Sequence, residues 1–160
     1  MWRAPSLRCL SREHQHGLAL CVRLRRSIQA GAIPESELQK LRIEVRHFYE
    51  SEARAHFDAE EQVLFPAADR FAELRALAQQ LRSEHVELRR RAGEIDTAGA
   101  DGLADFAELL STHIRKEENE LFEGMQKLMR RQELDALAKP LEATLAGAQC
   151  ELRAKTSDQQ

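Results

Sequence analysis

The sequence predicts an all-α protein, an antiparallel up-down four-helix bundle with an additional C-terminal helix. Helix-forming Ala, Leu, Glu, Arg and Gln dominate, and only 7 Gly and 4 Pro occur in 160 residues. Apolar residues recur every three or four positions along four long stretches, which is the pattern of an amphipathic helix. No stretch shows the apolar–polar alternation of a β-strand.

The first three helices are predicted over residues 5–30, 35–65 and 71–95. Each carries an apolar stripe at helical spacing, which should face the core of a bundle. Pro66 is expected to end the second helix because proline has no N–H to donate to the helical ladder.

A loop is predicted over residues 96–102, where Gly, Ala and Asp interrupt the stripe, and the fourth helix over residues 103–129. A weaker fifth helix follows over residues 132–152, and Pro140 should kink or divide it. Whether this helix after Met129 covers the bundle is left open. A frayed tail is expected over residues 155–160.

Length and charge limit the class of protein. Residues 1–154 are expected to form a single domain. The net charge of −3 and the pI near 6.1 argue against nucleic acid as a partner. No apolar run reaches the roughly 20 residues of a membrane span, and no signal peptide is recognised, so a cytoplasmic location is expected. Cys9, Cys21 and Cys150 lack C-x-x-C spacing and are expected to be reduced thiols, with Cys21 buried.

Two segments share the frame H-x-x-x-E-E-x-x-L-F and point to metal chemistry. They begin at His56 and His113, with Glu60 and Glu117 four positions later. Residues four apart lie on one helix face, so each imidazole and carboxylate can face the same ion or two neighbouring ions. Both histidines continue an apolar stripe, and burying such groups without a partner would be costly. Metal coordination would satisfy them.

The first and third predicted helices each offer one more histidine. His14 follows the tripeptide Ser-Arg-Glu and His85 follows Arg-Ser-Glu, and each continues an apolar stripe. His16 is the alternative to His14, but it lies about 200° around the helix and should point away. The chain is therefore interpreted as two similar helix pairs, which together bring four imidazoles and two carboxylates to one place.

Other polar residues near the second helix's histidine are candidates for an outer layer. Tyr49 and Glu52 precede His56 by two turns and one turn and face the predicted site. Packing is the favoured role for Tyr49, with a hydrogen bond to a ligand or a redox role as alternatives. Glu61 and Glu118 are rotated about 100° from the preceding Glu, so they are expected to contact ligands or solvent rather than metal.

These residues resemble the hemerythrin-like HHE cation-binding family, on the segments HFDAEEQVLFP and HIRKEENELF. The resemblance implies a bundle with a non-haem di-iron centre. The implied ligands, with the two glutamates as bridges, are His14, His56, Glu60, His85, His113 and Glu117.

The sequence departs from the oxygen-carrying hemerythrins at two points. Those proteins have a second histidine where this chain has Arg89, and His-x-x-x-x-Asp on the fourth helix where this chain has His113-x-x-x-Glu117. The four-His, two-Glu set looks more like the di-iron domain of iron–sulfur-cluster repair proteins. Those proteins also carry a cysteine-containing N-terminal domain that this sequence lacks, so cluster repair is not transferred.

Three functions remain open from the sequence. The first is a di-iron protein that binds or senses O2 or NO at open coordination positions. The second is a redox enzyme or repair factor acting on NO, peroxide or damaged clusters, and the third is an interaction bundle with a metal staple. The expected cofactor is two Fe ions with an oxo or hydroxo bridge; another divalent metal is the alternative. Neither nucleic acid nor membrane is expected as a partner, and a homo-oligomer is left open.

Overall fold

The computed structural model describes the backbone of residues 2–157 and the side chains of residues 2–147. Four long helices account for most of this range, and the described residues contain no β-strand. One 3₁₀ turn, Pro5–Leu7, precedes them, and another, Ile95–Thr97, lies between the third and fourth long helices. The helices are α1 (Arg8–Gln29), α2 (residues 35–68), α3 (Ala72–Gly93), α4 (residues 100–128), α5 (Arg131–Asp135) and α6 (Ala138–Ser157). The all-α prediction is confirmed.

The long helices α2 and α4 are interrupted by π-helical turns. Helix α2 contains two of them, Tyr49–Ala53 and Glu60–Leu64, and α4 contains one, Glu117–Leu121. In each turn a backbone N–H donates to the carbonyl five residues earlier, for example from Phe65 to Glu60. Such single turns widen the helix locally and are frequent at functional sites.

The expectation that Pro66 ends the second helix is wrong, because α2 continues to Ala68. Pro66 follows the π turn Glu60–Leu64 and falls in the first turn of the next α-helical piece, Phe65–Ala68. A proline is tolerated at that place because the N–H it lacks is not needed there.

The fifth helix is divided, as predicted, but the division falls between Asp135 and Ala138 rather than at Pro140. Pro140 lies in the first turn of α6, where its missing N–H is again tolerated. Helix α6 is described as far as Ser157, and residues 158–160 of the predicted tail lie outside the described residues. The frayed tail and the single-domain boundary stay predictions.

Two apolar clusters fill the bundle, one on each side of a polar layer. The first contains Leu10 of α1, Phe65 of α2 and Leu81 of α3. The second contains Leu24 of α1 and Phe106 of α4. Along α1 and α3 the first cluster comes before the second, whereas along α2 and α4 the order is reversed.

The C-terminal helices cover the first cluster. Leu134 of α5 and Leu141 of α6 are buried in it, so this part of the chain packs on its own bundle. Cys21 is buried in the second cluster, as predicted, and Cys9 is half-buried. The side chain of Cys150 lies outside the described residues.

Within the described residues, none of the helices combines the length and apolar character that crossing a membrane requires.

Helix α1 ends before Gly31, whose φ of 116° lies in the left-handed region that favours glycine. The antiparallel order of the helices stays a prediction.

Candidate metal centre

Six buried polar side chains converge where the two apolar clusters meet. They come from all four long helices and are His14, His56, Glu60, His85, His113 and Glu117. None is more than 5% exposed. These are the six residues that the sequence singled out as metal ligands, and the fold brings all of them together.

One half of the cluster is built around α1 and α2. The Nε2 atoms of His14 and His56 lie 3.0 Å apart. Glu60 Oε1 lies 3.0 Å from Nε2 of His56, and Glu117 Oε2 lies 3.1 Å from Nε2 of His14. The ligand atoms of these four residues all lie within 4.8 Å of one another, so they could hold one metal ion.

The other half is built around α3 and α4 and has the same composition. The Nε2 atoms of His85 and His113 lie 3.1 Å apart. Glu60 Oε2 lies 3.3 Å from Nε2 of His85, and Glu117 Oε1 lies 3.2 Å from Nε2 of His113. Each glutamate therefore presents one oxygen to each half, and the two halves could hold two ions that share both carboxylates.

A second layer of carboxylates surrounds the four imidazoles. The Nδ1-to-oxygen pairs are His14 with Glu118 (2.7 Å), His56 with Glu13 (2.6 Å), His85 with Glu61 (2.8 Å) and His113 with Glu84 (2.9 Å). An ionised carboxylate can only accept a hydrogen bond, so each Nδ1 carries the proton. With a metal bound, each Nε2 lone pair would then face the centre, in the tautomer that a metal-binding histidine needs.

Three of the four outer carboxylates also pair with a cation. Arg3 Nη2 lies 2.7 Å from Glu118, and Arg89 Nη1 lies 2.6 Å from Glu61. Lys116 pairs with the carboxylate of Glu84. Glu13 has no Lys or Arg partner among the described side chains.

These hydrogen bonds fix the charge of the outer layer. The bonds from His85 and Arg89 lower the pKa of Glu61 to about 2. Burial alone would raise the pKa of Glu84, but hydrogen bonds from His113 and Lys116 lower it to about 2. Both carboxylates are therefore ionised at neutral pH, as acceptors for the Nδ1 protons must be.

The inward-facing atoms of the cluster need added positive charge. Both carboxylate oxygens of Glu60 and of Glu117 are buried without a hydrogen-bond partner among the described residues. Burial alone would lower the pKa of His56 and of His113, but their neighbouring carboxylates raise each to about 9. Unpartnered buried carboxylates are costly. Protons or metal cations can neutralise the negative charge of these carboxylates, so the donor set fits a metal centre.

Aromatic rings hold the imidazoles in place. Phe57 stacks on His85 with ring centroids 4.1 Å apart, and Phe65 approaches the same histidine to 5.3 Å. Phe122 stacks on His14 at 5.6 Å. These apolar contacts exclude water from the cluster and so strengthen its electrostatic interactions.

The remaining sequence candidates lie further out. Tyr49 packs against the second apolar cluster. Glu52 accepts a hydrogen bond from Nδ1 of His16 at 2.8 Å, and the His16 side chain is 56% exposed, so it does not join the buried cluster. His47, which the sequence places on the surface, is exposed. The roles proposed for Tyr49 and Glu52 stay predictions.

A small pocket that opens to solvent borders the cluster. It lies between α1, α2 and α4. Its lining residues are Glu13, His14, Phe48, Glu52, Ala53, His56, Phe57, Leu110, His113, Ile114 and Glu117. The pocket is the natural approach for a small molecule because it touches three of the four imidazoles and one shared carboxylate.

The outer carboxylates of Glu13 and Glu84 are not among the site residues that the sequence pattern indicates. Both stand directly before a lone histidine, and each accepts from the histidine of the following helix rather than from its neighbour. The Glu-His dipeptide occurs at both positions, and this repetition is the sequence feature that could have indicated the two carboxylates. The π turns had no recognised signal, because i,i+4 spacing fits an ideal α-helix equally well.

Removing an outer carboxylate is expected to weaken metal binding without preventing folding. Glu84→Gln takes the ionised acceptor from His113, so metal affinity should fall about 10- to 100-fold, the usual effect of losing such a partner. Isothermal titration with ferrous or zinc ions measures it. The matched control is Glu87→Gln on the same helix, whose carboxylate pairs with Arg90 and Arg91 rather than with an imidazole, and an equal effect in both variants would refute the role.

Comparison with known proteins identifies the domain family. Residues 6–124 match the family model of the hemerythrin HHE cation-binding domain. The match covers well over half of the chain and includes all six clustered residues, which confirms the resemblance inferred from the sequence. Searches of curated proteins and of solved structures gave no significant match.

Proposed function

The chain belongs to the hemerythrin HHE cation-binding family, and on that basis we propose that it is a non-haem di-iron protein that binds or senses O2 or NO. The observation that carries the proposal is the sharing of Glu60 and Glu117 between two histidine pairs. Carboxylates that offer one oxygen to each half suit two ions close together better than one ion.

In this proposal His14 and His56 hold one ion, and His85 and His113 hold the other. The imidazole and carboxylate donors suit iron, although zinc or manganese could use the same set. The outer carboxylates orient each imidazole through its Nδ1 proton. The iron would supply reversible binding of, or electron exchange with, a small diatomic molecule.

The proposed bundle has its helices in antiparallel up-down order. The support is that α1 and α3 pass from the first apolar cluster to the second, while α2 and α4 pass from the second to the first. This order lets each long helix place its ligands midway between the two clusters.

Open coordination positions make the centre suited to an added ligand. Six protein residues shared between two ions leave positions for further ligands, because non-haem iron commonly takes more than four. The pocket beside His14, His56 and His113 gives such a ligand a path from solvent. The chain's own residues orient the donors, keep the centre dry and narrow its access.

Mixing the reduced, iron-loaded protein with O2 and with NO tests the function. A visible band that forms with either gas and disappears when the gas is removed is the expected result. Rapid irreversible oxidation with turnover would instead indicate an enzyme acting on NO or peroxide. No spectral change with either gas would contradict gas binding and leave the metal as a structural staple.

A further inference from the structure

The pocket beside the cluster has an apolar interior and an acidic mouth. Phe48, Leu110 and Ile114 form apolar walls, and no Lys or Arg is among the lining residues. Glu13 and Glu52 also line it, with side chains 26% and 36% exposed. A molecule that enters must leave bulk water next to two carboxylates.

The helix that bears Glu52 is distorted where it lines this pocket. The π turn Tyr49–Ala53 contains two lining residues and directly follows a third, Phe48. The other two π turns occupy matching places, each beginning at the glutamate of an H-x-x-x-E segment. The turn Tyr49–Ala53 has no counterpart in α4, whose equivalent stretch is regular α-helix. The distortion is therefore specific to α2, where it shapes one wall of the pocket.

Close helix packing limits the width of the pocket. An added Cβ at Gly17 would lie 2.9 Å from Ile114 Cδ1 and 3.3 Å from Phe48 Cζ. Both contacted side chains line the pocket, so α1 already packs against its walls. The inner end reaches the buried carboxylate of Glu117, whose oxygens have no hydrogen-bond partner among the described residues.

We propose that this pocket admits small uncharged molecules and repels anions, and that Glu52 at its mouth determines this selectivity. The apolar walls favour an uncharged molecule, whereas an anion would meet the negative charge of Glu52 and Glu13 as it leaves bulk water. His16, hydrogen-bonded to Glu52, lies on the solvent side of the pair and is mostly exposed. The inference rests on the proposed function, since it concerns access to the same centre.

Azide and NO provide the charged and uncharged probes. Glu52→Gln removes the charge with little change of shape, and it should speed azide association with the oxidised iron-loaded protein roughly three- to tenfold. NO association with the reduced protein should stay the same. Glu50→Gln, on the same helix with an exposed side chain that does not line the pocket, is the matched control and should change neither rate.

Salt dependence gives a second readout that needs no variant. If the mouth repels anions, azide association with the wild-type protein should accelerate as salt is added, because salt screens the repulsion. NO association should not respond. Equal azide rates in Glu52→Gln and Glu50→Gln, together with an azide rate that salt does not accelerate, would overturn the inference even if iron is bound as proposed.

Crystals test the pocket even if the chain holds no metal. Under xenon pressure, density is expected inside the pocket, because an apolar cavity takes up xenon. A bromide soak should leave the space beside Glu52 empty in wild-type crystals and fill it in Glu52→Gln crystals, a comparison that separates the charge of Glu52 from that of the imidazoles lining the pocket. Equal bromide occupancy beside this position in the two proteins, or no xenon, overturns the inference, whereas failure to find bound iron counts only against the proposed function.

Discussion

The double variant Glu60→Gln/Glu117→Gln is expected to lose both metal ions, whereas His14→Ala/His56→Ala is expected to lose only one. Each variant removes two of the six donor residues. The glutamates, however, present one oxygen to each histidine pair, while the two histidines belong to one half alone. Metal analysis after iron loading and desalting should therefore give close to zero and about one ion per chain, respectively.

The control for these variants is Glu120→Gln, an exposed glutamate on α4 just after the H-x-x-x-E segment. It should keep the full metal content of the wild-type protein. Circular dichroism establishes that each variant remains helical. Equal metal loss in the two double variants would contradict the shared role of the carboxylates, because that role predicts different losses.

Stripping the metal is expected to make the stability of the protein strongly dependent on pH. In the metal-free chain the carboxylates around His56 and His113 raise both pKa values from 6.5 to about 9. A histidine whose folded pKa is raised stabilises the fold fully below its unfolded pKa of 6.5. That stabilisation is lost as the pH rises through about 9.

The metal-free protein should therefore lose stability between pH 6.5 and pH 9. The shift corresponds to an order of magnitude of about 3 kcal/mol for each of the two histidines. The metal-loaded protein should not lose stability in this window, since a bound cation takes the place of the protons. Metal affinity should rise over the same window because fewer protons compete for Nε2.

Thermal unfolding at several pH values, with and without a chelator, measures both effects. The Tm of the stripped protein should fall steadily from pH 6.5 to pH 9, and that of the loaded protein should remain nearly constant. A stripped protein whose Tm rises across this window would contradict the sign of the effect. Equal curves for the two forms would show that no metal occupies the histidine cluster.

The sequence predicts the inner part of the centre well because helical periodicity is a local property. His56 with Glu60, and His113 with Glu117, follow from a spacing of four residues on one helix face. The positions of His14 and His85 on their apolar stripes placed them inside the bundle. These six side chains converge as expected, since all four helices bury the same face that carries the apolar stripe.

The outer layer depends on contacts between helices, which no single segment encodes. Glu13 accepts from His56 across α1 and α2, and Glu84 accepts from His113 across α3 and α4. Which residue on a neighbouring helix lies opposite a given imidazole depends on the relative rotation and shift of the two helices. A pattern of apolar residues shows which face packs, but it does not fix these quantities closely enough to pair individual side chains.

The course of α2 could not be predicted from propensity either. The rule that proline ends a helix fails at Pro66. The π turn before it shifts the pattern of backbone hydrogen bonds, so Pro66 falls in a first helical turn, where its missing N–H is tolerated. The same kind of turn at Tyr49–Ala53 helps to form the pocket. Ideal helical geometry gives the faces of a helix but not these local departures from it.

Anomalous diffraction at the iron edge from crystals of iron-loaded protein tests the central claim most directly. The account predicts two iron peaks in each chain, one beside His14 and His56 and the other beside His85 and His113. Glu60 and Glu117 should lie between them and contact both. A single peak, or iron bound anywhere outside the six residues, would contradict a di-iron centre with shared carboxylates.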